Sequence, residues 1–265
     1  MNEKKGGVLL LGAIFTDFII ISMENKKIII VGASSGIWEQ LAKDMASKWY
    51  SVWITWRRKE LLEKIQSEYP KQIKIKAFDI WDLEICIKNI EELKNELWWL
   101  DLLILWAWTW EVNQNIDFSI EFRVIKTNII WRTAIADWTI NYFVQQGKWH
   151  FVAITSLASL RWMWDCPSYN ATKAYQSNYI ESLRLYVDKK MVPVKILEVQ
   201  PWFVDTRMAQ WNLFWVCPLP KASKQILEAI EKSKKHIYLS KRWRLFAWIM
   251  KFSPYWIYKK IMNSI

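Results

Sequence analysis

The sequence predicts an α/β protein, with a Rossmann-like, doubly wound parallel sheet in a single domain and a short, helical, basic C-terminal tail. Strand-like and helix-like segments alternate along most of the 265 residues, which is typical of this fold class. The strand-like segments, such as residues 28–31 and 102–105, are continuous apolar runs, as expected of parallel strands covered on both faces. A glycine-containing turn at residues 32–36 separates the first strand from the first helix, as in many nucleotide-binding sheets.

Each element follows from its local pattern, in the order strand, helix, strand. Short runs rich in β-branched and aromatic residues predict strands, and longer amphipathic stretches predict helices. The strands are expected at residues 27–31, 51–55, 73–78, 101–105, 150–155 and 194–199, and the helices at residues 36–48, 59–68, 82–97, 118–145 and 168–190. No Pro-, Gly- or Ser-rich linker and no repeat interrupts this order, so we expect one domain over residues 23–240.

The tail, residues 241–265, is predicted to be helical and basic. A helix is expected near residues 242–252, and Ser253-Pro254 then supply an N-cap and a first-turn proline for another helix. Residues 221–265 contain eleven Lys and Arg against two Glu, so most of the formal net charge of +11 lies there. Because aromatic and aliphatic residues are interleaved with these cations, the pattern favours an anionic membrane surface over nucleic acid. The other interpretation is a basic tail that packs on its own domain.

Composition excludes several classes of protein. With 52% hydrophobic and 24% charged residues, the chain can bury a full core and is neither disordered nor fibrous. Its three cysteines, Cys86, Cys166 and Cys217, are unevenly spaced and form no CxxC pair, so they indicate no disulfide framework. The two histidines, His150 and His236, are far apart in the sequence, which disfavours a zinc site of the usual kind.

The N-terminal extension, residues 1–22, contains an apolar run of 14 residues at positions 8–21 that includes Asp17. This run is shorter than the ~20 residues that a transmembrane helix needs. A signal-like segment is the alternative, but no small-residue cleavage site follows the run. We therefore expect either an over-extended start or a weak anchor, ahead of a cytoplasmic protein that begins near Met23.

The turn after the first predicted strand reads Gly32-Ala33-Ser34-Ser35-Gly36-Ile37-Trp38. A strand, a glycine-containing turn and a helix start place backbone N–H groups and a helix N-terminus against a pyrophosphate. Glycine is needed there because a Cβ would block the close approach of the phosphates. A simple tight turn is the alternative interpretation.

Two arginines, Arg57 and Arg58, end the second predicted strand about 20 residues after the turn, where the adenosine ribose is usually recognised. A carboxylate at this point would favour the free 2′-hydroxyl of NAD(H). Since the segment has arginines and no Asp or Glu, NADP(H) is the better-matched cofactor and NAD(H) the alternative. The alternative interpretation is that both arginines are simply solvated, in which case they indicate no preference for either cofactor.

A candidate acid–base pair lies on a predicted helix. Tyr169 and Lys173 are four residues apart and therefore neighbours on one helix face, where the ammonium lowers the pKa of the phenol towards a range useful for proton transfer. Ser156 stands 13 residues before Tyr169, at the end of a predicted strand. The Tyr-x-x-x-Lys spacing alone is common by chance, but the turn, the serine and the strand order make the combination specific.

Taken together, these segments resemble those of the short-chain dehydrogenase/reductase family, in its single-domain branch, and the resemblance covers residues 26–235. By that resemblance Tyr169 is the general acid/base, Ser156 polarises the substrate oxygen, Lys173 binds ribose and tunes Tyr169, and Asn128 supports a water relay. The resemblance also implies a homo-oligomer. It implies that the cofactor contacts come from the turn and from later segments: Gly32, Ser34, Ser35, Gly36, Ile37, Arg57, Arg58, Asp79, Ala107, Lys173, Pro201, Val204 and Thr206.

The tryptophan content is abnormal, with 21 Trp against only 6 Gly. Many of the tryptophans occupy positions where the family pattern or a helix end calls for glycine: Trp38, Trp49, Trp98, Trp99, Trp108, Trp131, Trp149 and Trp202. Trp106 also departs from the family pattern, and glycine at this position would reduce that departure without removing it. We interpret most of these residues as glycines in the living cell, encoded by UGA; the interpretation leaves tail residues such as Trp243 and Trp256 open. UGG codons at positions 38, 108 and 202 would contradict it.

Two function classes remain. The first is an NADP(H)-dependent oxidoreductase that interconverts a carbonyl and an alcohol on a small apolar substrate, because Met208, Leu213, Phe214, Trp215 and Val216 are expected near the pocket. The second is a non-catalytic nucleotide-binding or membrane-associated protein on the same fold, which fold alone does not exclude. A sugar-nucleotide epimerase is disfavoured by the turn spacing and by the lack of a substantial C-terminal substrate domain. We expect no metal and no nucleic-acid partner.

Overall fold

Seven parallel strands form one sheet in the computed structural model, which describes residues 26–33, 35–161, 164–205, 216–240 and 242–262. Their order across the sheet is β3-β2-β1-β4-β5-β6-β7. The strands are β1 (Lys27–Val31), β2 (Ser51–Trp56), β3 (Ile73–Ala77), β4 (Leu102–Leu105), β5 (Trp149–Ile154), β6 (Val194–Gln200) and β7 (His236–Tyr238). The reversal of strand order between β1 and β4 is the doubly wound arrangement that the sequence predicts.

Helices connect the strands and cover both faces of the sheet. They are α1 (Ile37–Ser47), α2 (Lys59–Glu68), α3 (Leu83–Leu97), α4 (Phe118–Ile125), α5 (Arg132–Gln146), α6 (Pro167–Lys189), α7 (Leu219–Glu231), α8 (Arg242–Phe252) and α9 (Tyr255–Met262). A π-helical turn at Lys126–Trp131 joins α4 to α5, and a short 3-10 helix at Leu157–Ser159 follows β5.

The core consists of two apolar layers, one on each face of the sheet. Ile28 and Ile30 of β1 point into the layer that includes α1 and α7, whereas Ile29 and Val31 point into the layer that includes α3, α5 and α6. All four of these side chains are fully buried. This two-sided burial explains why the central strands are continuous apolar runs rather than alternating ones.

The register of the sheet aligns the carboxyl ends of its strands. Val31 pairs with Thr55 on one side and with Leu105 on the other, and Leu105 in turn pairs with Ala153. Because the strands are parallel, the segments that leave these ends emerge at one edge of the sheet. The glycine turn, Arg57 and Ser156 therefore lie along the same edge.

Two parts of the fold differ from the sequence-based prediction. The expected single helix at residues 118–145 is divided by the π-helical turn, a local widening that recurs at functional sites. The sequence predicts no element between residues 199 and 242, yet the chain forms α7 and the short edge strand β7 there. β7 is only three residues long and half-buried, so its sequence has too few positions to display a pattern.

The tail packs one face of α8 against the domain. Trp243, Ala247 and Met250 are buried, and Trp243 and Ala247 join a small cluster with Leu157, directly after Ser156. The Arg161 guanidinium donates a hydrogen bond to the backbone oxygen of Ser253, between α8 and α9, at 2.7 Å. Within the described part of the chain, no helix combines the length and apolar character that crossing a membrane requires.

Several predicted features lie outside the described residues. They are the N-terminal extension at residues 1–22, the turn residue Ser34, the expected cofactor contact Thr206, and the expected pocket residues Met208, Leu213, Phe214 and Trp215.

Candidate active site

The turn after β1 requires glycine at its first position. Gly32 has a φ of +103°, and a Cβ on it would lie 2.9 Å from the backbone nitrogen of Ala107, closer than real Cβ atoms approach. Gly36, at the N-cap of α1, has a φ of +67°. Ser35 is exposed between them and Ile37 is buried, and α1 begins directly after the turn. Backbone N–H groups at such a helix start favour an anion.

The ends of β2 and β3 carry charged side chains at the same edge. Arg57 and Arg58 are both exposed, and neither forms an ion pair with any residue that the structure describes. Asp79 follows β3, is exposed, and accepts a hydrogen bond from the backbone N–H of Trp81 at 3.0 Å. Both arginines are thus available to an anion near the end of β2.

Asn128 links the segment after β4 to helix α6. Its side-chain oxygen accepts from the Thr109 N–H at 2.9 Å, and its side-chain nitrogen donates to the Thr109 carbonyl at 2.9 Å and to the Thr172 hydroxyl at 3.1 Å. The amide is fully buried in the π-helical turn. These bonds hold the 107–109 segment against the helix that carries Tyr169 and Lys173.

Ser156, Tyr169 and Lys173 come together above the end of β5. The Lys173 Nζ lies 5.6 Å from the centre of the Tyr169 ring. Burial raises the pKa of the Tyr169 phenol, and a hydrogen bond with Ser156 acts in the opposite direction. Burial also lowers the pKa of Lys173 well below its ordinary value. A phenol beside a hydroxyl and an amine is a geometry suited to proton transfer.

Two buried polar residues of this site, Gln176 and Arg132, are absent from the sequence-based prediction. The Gln176 amide donates to the Asn128 carbonyl at 2.7 Å, and its oxygen accepts from the Lys173 ammonium at 3.3 Å. The Arg132 guanidinium donates to three backbone carbonyls near the ends of β4 and β5. The only signal available in the sequence is their spacing, since Gln176 lies three residues after Lys173 and Arg132 four after Asn128.

The segment after β6 lies beside Ser156. The Pro201 carbonyl accepts a hydrogen bond from the Leu157 N–H at 3.1 Å. Val204 is buried and pairs with Cys217 as an isolated parallel bridge. Trp202 contacts Phe203, Trp243 and Phe246. Pro201 and Val204 therefore border the site.

Three indoles lie at the turn and the acid–base residues. The Trp38 and Trp106 rings are 4.4 Å apart, and the Trp106 ring lies 5.5 Å from that of Trp108. The Trp106 ring also lies 3.2 Å from the position of a Cβ on Gly32. Trp108 reaches Tyr169 at 5.6 Å, and Lys173 Nζ lies 5.0 Å from the Trp108 ring. The polar groups fit a dinucleotide, whereas these three indoles do not.

Other tryptophans have a backbone conformation, or a buried environment without a hydrogen-bond partner, that suits glycine better than tryptophan. Trp49, Trp98 and Trp149 have φ values of 63°, 63° and 131°, in the region that side chains disfavour. The Trp49 and Trp98 side chains are 69% and 87% exposed, so packing does not compensate for this strain. Buried indole nitrogens without a hydrogen-bond partner among the described residues belong to Trp38, Trp56, Trp131 and Trp149. Since buried donors are normally paired, these observations agree with the glycine interpretation.

The described residues contain no group of three or more His, Cys, Asp or Glu that could hold a metal ion. Cys86, Cys166 and Cys217 are all free and buried.

A doubly wound sheet with a glycine turn at its switch point and a serine, tyrosine and lysine at the same edge is typical of oxidoreductases that bind a dinucleotide. The sequence profile of the short chain dehydrogenase family matches residues 26–213. The chain belongs to this family and is an oxidoreductase.

Relatives and solved structures agree with this assignment. An uncharacterized oxidoreductase of Myxococcus xanthus is 26% identical over 203 residues, covering 75% of this chain and 78% of the relative. A plant relative, 11-beta-hydroxysteroid dehydrogenase 1A of Arabidopsis thaliana, is 24% identical over 77% of this chain and 59% of its own length.

Two solved structures show the same fold. ElxO with NADP bound superimposes with a TM-score of 0.73 at 18% identity, covering 81% of this chain and 96% of ElxO. A short-chain dehydrogenase from Streptomyces avermitilis gives a TM-score of 0.74 at 18% identity, covering 86% and 92% of the two chains.

Proposed function

We propose that the protein is an NADP(H)-dependent oxidoreductase that interconverts a carbonyl and an alcohol on a small apolar substrate. The observation that carries the proposal is the convergence of Ser156, Tyr169 and Lys173 at the sheet edge that also holds the glycine turn. Free arginines at the end of β2 support the phosphorylated cofactor. The fold neighbour ElxO is described with NADP and with NADPH bound.

The proposal includes glycine at positions 38, 106 and 108 of the functional protein, because the three indoles lie where the cofactor belongs. With glycine there, the turn residues Gly32, Ser35, Gly36 and Ile37 would hold the pyrophosphate. Arg57 and Arg58 would hold the 2′-phosphate, Asp79 the adenine, and Lys173 the ribose. Ala107, Pro201 and Val204 would complete the site, together with Ser34 and Thr206, which lie outside the described residues. When bound, the nicotinamide supplies or accepts the hydride.

Ser156, Tyr169 and Lys173 would carry out the acid–base chemistry. In reduction, Tyr169 donates the phenolic proton to the substrate oxygen, and in oxidation its phenolate takes that proton back. Ser156, whose hydroxyl hydrogen-bonds Tyr169, would donate to the same substrate oxygen. Positive charge near the phenol stabilises the phenolate, and Lys173 is the nearest ionisable amine on the same helix.

The second candidate is a non-catalytic nucleotide-binding or interaction protein. One observation favours it for the chain as written: Lys173 and Asn128 are fully buried, and the Trp108 ring lies against the Lys173 amine. A site closed in this way could not admit a substrate. The protein with glycine at positions 38, 106 and 108 is called the glycine form below. The two candidates differ in whether this form turns over a carbonyl.

Arg57→Asp is expected to invert the cofactor preference of the glycine form. A carboxylate there would repel the 2′-phosphate and accept a hydrogen bond from the 2′-hydroxyl of NADH. We expect the ratio of NADPH to NADH affinity to fall by about 10- to 100-fold, which corresponds to about 1.4 to 2.7 kcal/mol. Dissociation constants for both cofactors, measured by calorimetry, check this result.

The charge-matched control is Lys59→Asp, which changes the same charge two residues away, on a side chain paired with Glu63. It should leave the ratio nearly unchanged. Equal affinities for NADPH and NADH in the glycine form would count against NADP(H) as the cofactor.

We also propose that the protein is cytoplasmic and binds an anionic membrane surface through its tail. Leu245, Trp248, Ile249 and Phe252 follow a helical spacing and are 40–67% exposed, opposite the buried face of α8. Arg244, Lys251, Lys259 and Lys260 are exposed beside them, and residues 241–265 contain no acidic side chain. An apolar stripe bordered by cations and free of anions is complementary to anionic lipid.

Leu245→Ser combined with Phe252→Ser is expected to reduce binding to anionic vesicles by about 10-fold, because both side chains would insert between the headgroups. Binding should also weaken as salt rises, since each cation contributes about 1 kcal/mol near an anionic surface. Co-sedimentation with phosphatidylserine-containing and pure phosphatidylcholine vesicles measures both effects.

The control replaces two exposed apolar residues outside the tail, Ile85→Ser and Met191→Ser. These changes should leave vesicle binding unaltered. If the unmodified protein stays in the supernatant with anionic vesicles at low salt, the tail instead only packs on its own domain.

Family membership also supports a homo-oligomer, which we propose forms through α4 and α6. Phe118 and Phe122 on α4 and Leu185 and Tyr186 on α6 are exposed, and exposed apolar side chains that form a patch are typical of protein–protein contact surfaces. Sedimentation velocity measures the state directly, and a monomer at micromolar concentration would contradict the proposal.

A further inference from the structure

Arg132 is a buried arginine at the first position of α5, one turn after Asn128. Its side chain is only 4% exposed. One guanidinium nitrogen donates to the carbonyls of Leu105 and Ala107 at 3.3 and 3.1 Å, and the other donates to the carbonyl of Ile154 at 2.9 Å. A single side chain therefore joins the carboxyl ends of β4 and β5.

The charge of Arg132 is not neutralised by a carboxylate among the described residues. Arg184, the other arginine that binds strand carbonyls from a helix, differs in this respect because it lies 3.7 Å from Glu198. Burial lowers the pKa of Arg132 to about 9, so the guanidinium stays protonated at neutral pH. A buried, unpaired cation is costly, which makes its position informative.

Arg132 lies next to the acid–base site, because the carbonyls that it binds belong to Ala107, one residue before the Trp108 ring that contacts Lys173, and to Ile154, two residues before Ser156. After the dominant effect of burial, Arg132 lowers the pKa of Lys173 and also that of Tyr169. Among the residues that the structure describes, the charged or titratable groups around the phenol are Lys173 on α6, Cys166 at the N-cap of that helix and Arg132 on α5, with the Ser156 hydroxyl after β5. No anion is among them, so Arg132 adds positive potential where a phenolate would form.

We propose that Arg132 is a positioning residue of the active site, one that fixes the spacing between the ends of β4 and β5 and holds a permanent positive charge beside Tyr169 and Lys173. This inference rests on the proposed function. The strand ends lead directly to the 107–109 segment and to Ser156, so their spacing sets the distance between those two parts of the site.

Lys173 and Arg132 differ in how readily their side chains lose a proton, so we assign them different roles. A buried lysine amine loses its proton readily, whereas a guanidinium does not. Lys173 is fully buried and hydrogen-bonds only Gln176 among the described residues, so its charge depends on what binds beside it. The positive charge on Arg132 does not depend on what binds beside it. It therefore stabilises the Tyr169 phenolate whether Lys173 is protonated or neutral.

The first test measures the pKa of Lys173 by carbon NMR in protein labelled at the lysine ε-carbons, with the resonance assigned by Lys173→Met. It needs neither cofactor nor turnover. In Arg132→Gln, which keeps one donor but no charge, the pKa of Lys173 should rise by about one unit or more. In Arg132→Lys it should stay near the original value. Arg184→Met is the matched control and should leave it unchanged.

An unchanged pKa of Lys173 in folded Arg132→Gln would overturn the electrostatic role. If that variant fails to fold, Arg132→Lys decides, because a shift in Lys173 as large as one unit with the charge retained would also contradict the proposal.

The second test uses the glycine form and follows alcohol oxidation against pH. The basic form of Tyr169 is required, so the apparent pKa of the acidic limb of kcat/KM should rise in Arg132→Gln and remain in place in Arg132→Lys. An identical profile in all three proteins would overturn the proposal. Absence of turnover in the unsubstituted glycine form would instead count against the proposed function, and the NMR measurement would still decide the role of Arg132.

Discussion

Glycine in place of Trp38, Trp106 and Trp108 is expected to tighten NADPH binding by about 100-fold or more, a change worth at least about 2.7 kcal/mol. The expected pyrophosphate position lies between the turn after β1 and the N-terminus of α1. The Trp38 and Trp106 rings lie 4.4 Å apart beside that turn, and the Trp106 ring lies 3.2 Å from the position of a Cβ on Gly32, so we expect them to keep a phosphate away from the backbone N–H groups. Calorimetric dissociation constants for the triple variant and the chain as written measure the difference.

Trp49→Gly with Trp98→Gly is the matched control, since it removes two indoles that lie outside the site. Both residues have φ values of 63°, so glycine should raise the free energy of unfolding by about 1 kcal/mol at each position while NADPH binding stays the same. Equal NADPH affinity in the triple variant and in the chain as written would contradict the interpretation that these three indoles occupy the cofactor position. Peptide mass spectrometry on protein from its native cells would then report the residue at each position directly.

Tyr169→Phe in the glycine form is expected to lower kcat by about 1,000-fold or more, because it removes the proton that the substrate oxygen must receive. The side chain keeps its ring and its volume, so NADPH affinity should change by less than about threefold. Steady-state assays that follow NADPH absorbance over a panel of apolar carbonyls, together with calorimetric binding, separate the two effects.

Tyr175→Phe is the control for this prediction. Tyr175 lies on the same helix, and its hydroxyl is 3.1 Å from the Thr133 hydroxyl, on the exposed side of α6. Loss of that hydroxyl should leave kcat within about twofold. If Tyr169→Phe retains near-normal turnover, Tyr169 is not the acid, and the non-catalytic candidate becomes the better account of Ser156, Tyr169 and Lys173.

The central strands were predictable from the sequence because each is buried on both faces and therefore appears as an unbroken apolar run. The glycine turn and the Tyr169–Lys173 pair were predictable because their spacing is local. β7 was not, since three half-buried residues at a sheet edge leave no pattern. Arg132 was not either, because its partners are carbonyls of residues 105, 107 and 154, and only the folded sheet brings those together.

The contacts that hold α8 determine how the enzyme would meet a membrane. Trp243 is buried at the start of this helix, and Arg161 binds the Ser253 carbonyl just beyond its end. Because α8 is held at both ends, it cannot rotate away from the domain. A bilayer that bound the exposed face of α8 would therefore also fix the tilt of the whole sheet. The sheet edge that carries the candidate site would then keep a fixed height and orientation above the lipid. An apolar substrate dissolved in that leaflet would reach the site by diffusion in two dimensions instead of three.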